Sequence, residues 1–272
     1  MSIITSSSNQ HIKLIKSLKD KKTRNEKGLF FIEGTRFFEE ALSESVLSQV
    51  EIVDVFISEN ISINMIMSEI EKYKYTKKLN IHTITEKIYK DISDTQSPQG
   101  ILATIKIKKW TINDILNRGD LILILESIQD PGNLGTIIRT ADAAGFSGII
   151  ASKGTVDLYN PKVLRSTMGS VFRMPYYQTD ELKESCKELK NVGIKIYGTH
   201  LDAKCSIYEA NLNKNVAIIV GNEGAGMSGE LMNICDSLIK IKMLGRTESL
   251  NASVAAGIVV YESLRQRLFH RS

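Results

Sequence analysis

The sequence predicts an α/β protein built from two domains in tandem. Three observations carry that reading. Short apolar runs rich in Ile, Leu and Val alternate along the chain with segments of three- and four-residue apolar spacing, the pattern of strands alternating with helices and of a mostly parallel sheet. The run LILILESI at 121–128 opens on continuous apolar residues, as a central strand covered on both faces requires. Residues 108–120 are polar with short apolar runs, hold the single tryptophan, Trp110, and read as a connection. The 272 residues divide accordingly into 1–106, a linker at 107–118 and 119–272.

In the first part, residues 9–19 place Ile12, Leu14, Ile15 and Leu18 on one helical face. A strand is predicted at 29–34, a helix at 35–43, a strand at 50–58, a helix at 64–73, a strand at 79–83, a helix near 86–92 and a strand at 100–107. The second part continues with the strand at 121–128, a helix at 133–144, a strand at 148–152 and helices at 161–168 and 180–191. Strands at 194–199 and 216–220, a helix at 228–235, a strand at 238–243 that breaks at Gly245 and a closing helix from about 250 to 270 complete the series.

Composition narrows the function classes. With 42% hydrophobic and 24% charged residues, the chain can bury a core. No segment has the roughly 18 uninterrupted apolar residues of a membrane span, and MSIITSSSNQHIK lacks the apolar stretch of a secretory signal. Cys186, Cys205 and Cys235 show no C-x-x-C spacing, which argues against a disulfide framework or a zinc site and for a reducing cytoplasm. His11, His82, His200 and His270 are scattered, so no metal is expected. The net charge of +4 is mild, but residues 11–28 hold seven Lys or Arg against Asp20 and Glu26. That run is either a solvated face or a phosphate-contacting arm that gains affinity by releasing counterions, with Lys21, Lys22 and Arg24 as its contacts.

Three strand-turn-helix junctions concentrate polar chemistry, and α/β folds place ligands at such junctions. The first is DPGNLGTIIRTADAAG, 130–145. Asn133 suits an N-cap, Leu134, Ile137, Ile138, Ala141 and Ala144 form an apolar stripe, and Gly145 ends the helix. Arg139 lies off the stripe, either paired with Asp142 on the surface or leaning back over Gly135 toward the loop. The second, VGNEGAGMSGEL, contains a literal G-x-G-x-x-G at 224–229, with Glu248 about twenty residues on. A dinucleotide site fits poorly here: Glu223 brings negative charge near a pyrophosphate, and the following helix is short. A neutral or cationic ligand suits the loop better. The third junction, 239–261, carries Arg246, Thr247, Glu248 and Ser249 before the closing helix, more polarity than a cap at Ser249 or Asn251 needs.

Together, LESIQDPGNLGTIIRTADAAGF, IVGNEGAGMS and IKIKMLGRTESLNASVAAGIVVYE resemble the three motifs of the SpoU (TrmH) family of RNA ribose 2′-O-methyltransferases in the SPOUT superfamily, across 121–267. SSNQHIKLIKSLKDKKTRNEKGLFFIEGTR resembles, more weakly, that family's substrate-binding domain, a small α/β fold akin to certain ribosomal proteins. The resemblance implies a C-terminal SPOUT domain with a deep trefoil knot, an RNA-binding N-terminal domain, S-adenosylmethionine as methyl donor and an obligate homodimer. It implies large-subunit rRNA as the favoured substrate; a tRNA methyltransferase and a non-catalytic RNA-binding protein that keeps the fold are the alternatives. A dinucleotide-dependent oxidoreductase is a third.

Carried onto this chain, Arg139 takes the catalytic position, with Asn133, Glu223, Ser249 and Asn251 completing a polar cluster. Gly198, Thr199, Gly221, Asn222, Ile241, Met243 and Leu250 fall at the cofactor loops, and Arg165 at a second RNA-contacting position. Arginine is effectively never neutral in proteins. Its role as a base therefore rests on the resemblance, whereas lowering the pKa of a ribose hydroxyl and anchoring a phosphate follow from its charge.

Overall fold

The computed structural model describes residues 3–47 and 50–269; His270 lies outside the described residues. The chain separates into two compact units, Met1–Lys108 with Tyr159–Arg173, and Lys109–Leu158 with Met174–Ser272.

The first unit runs α1 (Gln10–Ser17), α2 (Lys21–Lys27), β1 (Leu29–Glu33), α3 (Thr35–Val46), β2 (Ile52–Ser58), α4 (Ile63–Lys72), β3 (Asn80–Ile84), α5 (Glu86–Ile92) and β4 (Ile101–Lys106). Its sheet has the order β1-β4-β2-β3. β4 is antiparallel to both neighbours, and only β2 and β3 are parallel. The predicted mostly parallel sheet is therefore wrong for this unit. Alternation of helix and strand fixes element order, not the direction in which the last strand enters. One face is covered by α1 and α5, with Ile12, Ile15 and Leu18 packed against Phe31, Phe56 and Leu102.

The basic run folds into two short capped helices. Asn9 caps α1 and Asp20 caps α2 through side-chain oxygens, and Gly28 ends α2 in the left-handed conformation at φ +64°. Arg24, expected among the exposed phosphate contacts, is only 4% exposed. Its Nη1 donates to the carbonyls of Leu18 and Lys19 at 2.7 and 2.8 Å, satisfying acceptors left open at the end of α1. A guanidinium committed to carbonyls inside the fold cannot also face a phosphate, so Arg24 leaves the RNA-contact set. Lys21 and Lys22 remain exposed.

The chain continues through α6 (Ile112–Leu116), β5 (Leu121–Leu125), α7 (Pro131–Ala143), β6 (Gly148–Ser152), α8 (Pro161–Thr167), β7 (Tyr176–Thr179) and α9 (Leu182–Asn191). It ends with β8 (Lys195–Thr199), β9 (Cys205–Ser206), β10 (Val216–Val220), α10 (Gly229–Ile234), β11 (Ser237–Lys240) and α11 (Ala252–Phe269). α8 belongs to the first unit. There the Tyr159 ring lies 4.5 Å from that of Phe30, and Arg173 reaches Glu40 at 2.7 Å and Glu44 at 3.3 Å. Arg173 thereby supplies the counter-charge that the buried Glu44 requires.

The second unit is a seven-stranded sheet of order β7-β6-β5-β10-β8-β11-β9, parallel throughout. Every residue of β5 and β10 is buried, as their continuous Leu, Ile and Val runs require. Ile122 and Ile124 face a cluster formed with α6, α9 and α10. The segment read as a polar connection holds α6, started by a capping box in which Thr111 and Asp114 exchange hydrogen bonds. The strand predicted to 243 stops at Lys240, so 241–251 is loop.

Truncating β5 at its centre tests how far this sheet sets stability. Leu123→Ala should cost about 2–5 kcal/mol through lost burial and a residual cavity, read as a lower midpoint in urea denaturation.

Candidate active site

All seven strands of the second unit point the same way, and β10 lies between β5 and β8 although both precede it in sequence. The C-terminal ends of β5, β8, β10 and β11 therefore share one edge, at a point where the strand order reverses. The loops that follow build the site.

The loop after β10 is held by its own backbone. Asn222 N donates to Gly226 O at 2.9 Å, and Gly226 N returns to Asn222 O at 3.0 Å. The Asn222 side chain accepts from the amides of Gly224 and Ala225 at 2.9 Å and donates to the Ser127 carbonyl at 2.7 Å, tying this loop to the one after β5. Gly221 is required by proximity. A Cβ there would lie 2.5 Å from the carbonyl carbon of Gly226 and 2.6 Å from its oxygen and from the Met227 nitrogen. The helix after the G-x-G-x-x-G run, α10, has only 6 residues. The Glu223 carboxylate is drawn to the loop after β5, in agreement with the poor fit to a dinucleotide fingerprint.

α7 begins at Pro131, with Asp130 as its cap: Asp130 Oδ1 accepts from Asn133 N at 2.8 Å. The cap predicted at Asn133 is thus displaced three residues upstream, because Pro at the first helical position leaves the preceding Asp to do the capping. Asn133 instead sits inside the first turn, buried, with its side chain free to bridge. Its Nδ2 donates to Glu223 Oε1 at 3.0 Å, and its Oδ1 accepts from Asn251 Nδ2 at 2.9 Å. Asn251 is the residue that caps α11, since its Oδ1 accepts from the amides of Ser253 at 2.9 Å and Val254 at 3.3 Å. Three of the five predicted catalytic residues therefore form one hydrogen-bonded chain.

Ser249 lies with Glu223 in the lining of a neighbouring cavity of about 350 Å³, a size suited to a small organic ligand. Of the predicted cofactor residues, Thr199, Gly221, Asn222, Ile241, Met243 and Leu250 line the same cavity. Gly198 does not: a Cβ there would run into Met227, Cys235 and Leu238, which puts it behind the loops in the packed interior. The Thr199 hydroxyl donates to Ile219 O at 2.9 Å, so only its lone pairs are available to a ligand. Sequence reasoning assigned no ligand contact to His200, Lys240 or Glu248, which also line the cavity. Their signal was position alone: His200 and Glu248 fall in loops after predicted strands, and Lys240 lies within the strand predicted at 238–243. With Glu223 and Glu248 set against Lys240 in its wall, the cavity lacks the concentrated positive charge that a polyphosphate requires.

Arg139 is exposed on α7 and forms no hydrogen bond or ion pair among the described residues, the pair with Asp142 included. It is not part of the hydrogen-bonded chain and does not line the cavity. Arg165 is exposed on α8, in the first unit with Lys21 and Lys22.

Burial alone would raise the pKa of Glu223, but the Asn133 side chain and the amides of Gln129 and Asp130 outweigh it, so the carboxyl titrates below its ordinary value of 4.5. A depressed carboxylate adds stability that is complete above the ordinary value and is lost as pH falls through the folded value. Acid unfolding curves of Glu223→Gln should therefore lose part of the decline that the parent shows below pH 4.5. The loop geometry has its own test. Gly221→Ala should destabilise by more than about 1 kcal/mol, and Gly224→Ala by less than about 0.5 in urea denaturation, because the nearest contact at Gly224 is the Asn222 side chain at 3.6 Å.

Residues 120–261 match the SpoU rRNA Methylase family, and residues 9–103 match the MRM3-like substrate binding domain. Over 262 residues the chain is 36% identical to the Bacillus subtilis protein named 23S rRNA (guanosine(2553)-2'-O)-methyltransferase RlmP, covering 96% of this chain and 98% of that one. It is 38% identical over 196 residues to the 23S rRNA (guanosine-2'-O-)-methyltransferase RlmB of Vibrio parahaemolyticus, covering 70% and 79%. Among solved structures, an AdoMet-bound rRNA methyltransferase from Sinorhizobium meliloti is similar with a TM-score of 0.82 and 30% sequence identity, covering 97% of this chain and 98% of that chain. With its junctions joined through Asn133 and both parts of the chain matched, the protein belongs to the SpoU rRNA methylase family and carries an N-terminal domain of the MRM3-like substrate-binding type.

Proposed function

We propose that this chain methylates a ribose 2′-hydroxyl of large-subunit ribosomal RNA, with S-adenosylmethionine as donor. The observation that carries the reading is the chain Asn251–Asn133–Glu223 beside a ligand-sized cavity, in a protein of this family. The residues present fit the donor. Its adenosyl part suits a cavity walled by Ile241, Met243 and Leu250 and by the close-set backbone at Gly221, and its positive charges suit Glu223 and Glu248. When bound, the donor supplies an electrophilic methyl group on a sulfonium. Both named relatives act on guanosines of 23S rRNA, so guanosine is the nucleotide to examine first.

This chain's residues supply orientation and charge. Glu223, held as an anion, fixes Asn133, and Asn133 in turn fixes Asn251 at the start of α11. The Ser249 hydroxyl, with no hydrogen bond among the described residues, is available to a bound ribose. Orientation of this kind can account for up to roughly 7–11 kcal/mol of a barrier in favourable model reactions. Arg139 meets the RNA, where a permanent cation anchors a phosphate and lowers the pKa of the neighbouring hydroxyl.

Residues 1–106 capture the RNA and 119–272 perform the chemistry, with Arg165, Lys21 and Lys22 as contacts. A second copy of the chain covers the apolar side chains that α11 leaves exposed, among them Val254, Tyr261 and Leu268. The deep knot belongs to the same proposal, supported by the insertion of β10 between earlier strands. The setting is the cytoplasm, consistent with three free cysteines and with no helix, among the described residues, long and apolar enough to cross a membrane.

Incubation with rRNA, tRNA and labelled donor should place alkali-resistant ribose methylation on 23S rRNA. Label on tRNA alone would make this a tRNA enzyme, and absence of donor binding in calorimetry would favour the non-catalytic scaffold. Arg139→Ala should reduce turnover to background with donor affinity unchanged within severalfold, and loss of donor binding would overturn its assigned role. Lys21→Ala with Lys22→Ala should weaken RNA binding and lower the slope of log K against log salt by up to about 2.

A further inference from the structure

Among the described residues, one cluster of ligating side chains stands apart from the cavity, on the four-stranded sheet of the first unit. Asp54 on β2 and His82 on β3 are parallel neighbours two residues out of register, since Asp54 pairs with Asn80 and Phe56 with His82. His11 enters from the first turn of α1. His82 Nε2 lies 2.8 Å from Asp54 Oδ1, and His11 Nδ1 lies 4.0 Å from the same oxygen. One ligand atom from each residue falls within 4.8 Å of the other two.

We propose that His11, Asp54 and His82 bind a zinc-class divalent cation that fastens α1 to the edge of this sheet. Three observations support it. Asp54 is 6% exposed, yet its only charge partners among the described residues are the two imidazoles. A buried carboxylate calls for a compensating cation, and among the described residues no Lys or Arg lies within ion-pair distance of it; a divalent cation would supply that charge. The donor set, two imidazole nitrogens and one carboxylate oxygen, suits zinc, with a fourth position left to solvent. The spacing also suits it. Ligand atoms on a tetrahedral ion with bonds of about 2.0–2.1 Å lie about 3.3 Å apart, so the 2.8 Å pair would open and the 4.0 Å pair would close by well under 1 Å, while the two imidazole nitrogens, within 4.8 Å of each other, would close by up to about 1.5 Å. His82 is already oriented by stacking on Phe56, with ring centroids 4.9 Å apart and planes 20° from parallel. The residues sit at positions 11, 54 and 82, without the short spacings by which zinc sites are recognised in sequence, which is why no metal was expected there.

The consequence concerns RNA capture. α1 carries Lys13 and Lys16 on its exposed face, so a cation at its first turn would hold the basic surface against the sheet. The site lies in the first unit and takes no part in methyl transfer, so its failure would leave the proposed activity standing.

The test uses the full chain without a polyhistidine tag, with Cys205→Ser and Cys235→Ser to remove competing thiols. After chelation and buffer exchange, Zn²⁺ is titrated by calorimetry and Co²⁺ by its visible absorption. One Co²⁺ per chain with tetrahedral bands is expected, together with a rise in Tm on adding Zn²⁺. His11→Gln removes no hydrogen bond of its imidazole, so it should fold as the parent by circular dichroism while weakening the metal at least tenfold, on the order of known shell substitutions. His82→Gln should weaken the metal likewise, with some loss of stability because its 2.8 Å contact to Asp54 is removed. Absence of saturable binding to the parent, or binding unchanged in His11→Gln, would overturn the proposal.

Discussion

The side-chain amide of Asn133 is the interaction on which the site depends. It donates to Glu223, 90 residues later, and accepts from Asn251, 118 residues later, so one residue joins the loops after β5 and β10 to the start of α11. An amide suits the task because it donates and accepts in one plane; an aspartate there would lose the donor to Glu223, and a leucine both bonds. The bridge exists only because α7 starts at Pro131 with Asp130 as its cap, which releases Asn133 from capping. Local helix chemistry and the chemistry of the site are decided together by four consecutive residues.

Around that bridge the sheet sets position and the glycines set clearance. β5 and β10, buried throughout, fix the edge on which the loops stand. Gly221 lets the loop after β10 fold back on itself at backbone contact distance. The resulting wall is main chain and carboxylate, which distinguishes this cavity from a phosphate cradle even though both are glycine-rich. Glu223 contributes as a fixed anion: hydrogen bonds from Asn133 and two backbone amides hold it ionised, which suits an organiser better than a proton acceptor.

Much of this was legible in the sequence. The LILIL and VAIIV runs announced the central strands, and the resemblance to the SpoU motifs, not the junctions alone, grouped Asn133, Glu223, Ser249 and Asn251 before any contact was known. What escaped depended on tertiary partners. Arg24 looked like its basic neighbours because the carbonyls of Leu18 and Lys19 become its targets only once α1 ends beside α2. β4 gave no sign of running antiparallel, since strand direction leaves no mark on apolar alternation. β7 buries only its first residue fully and β9 is two residues long, so neither had a period to detect. Gly198 fell beside Thr199 in a loop-adjacent position, yet it faces Met227, Cys235 and Leu238 rather than the cavity.

The burial of Arg24 has a thermodynamic consequence for any polyanion that would settle on this surface. A flexible basic tail must lose conformational freedom when it settles on a phosphate backbone, and that loss is subtracted from every contact it makes. Here the guanidinium bolts the end of α1 to α2, and the lysines around it project from a corner folded in advance. One charge is withdrawn from the electrostatic surface. In exchange the remaining charges are preorganised, and a phosphate backbone laid against them would meet a rigid template instead of a tether.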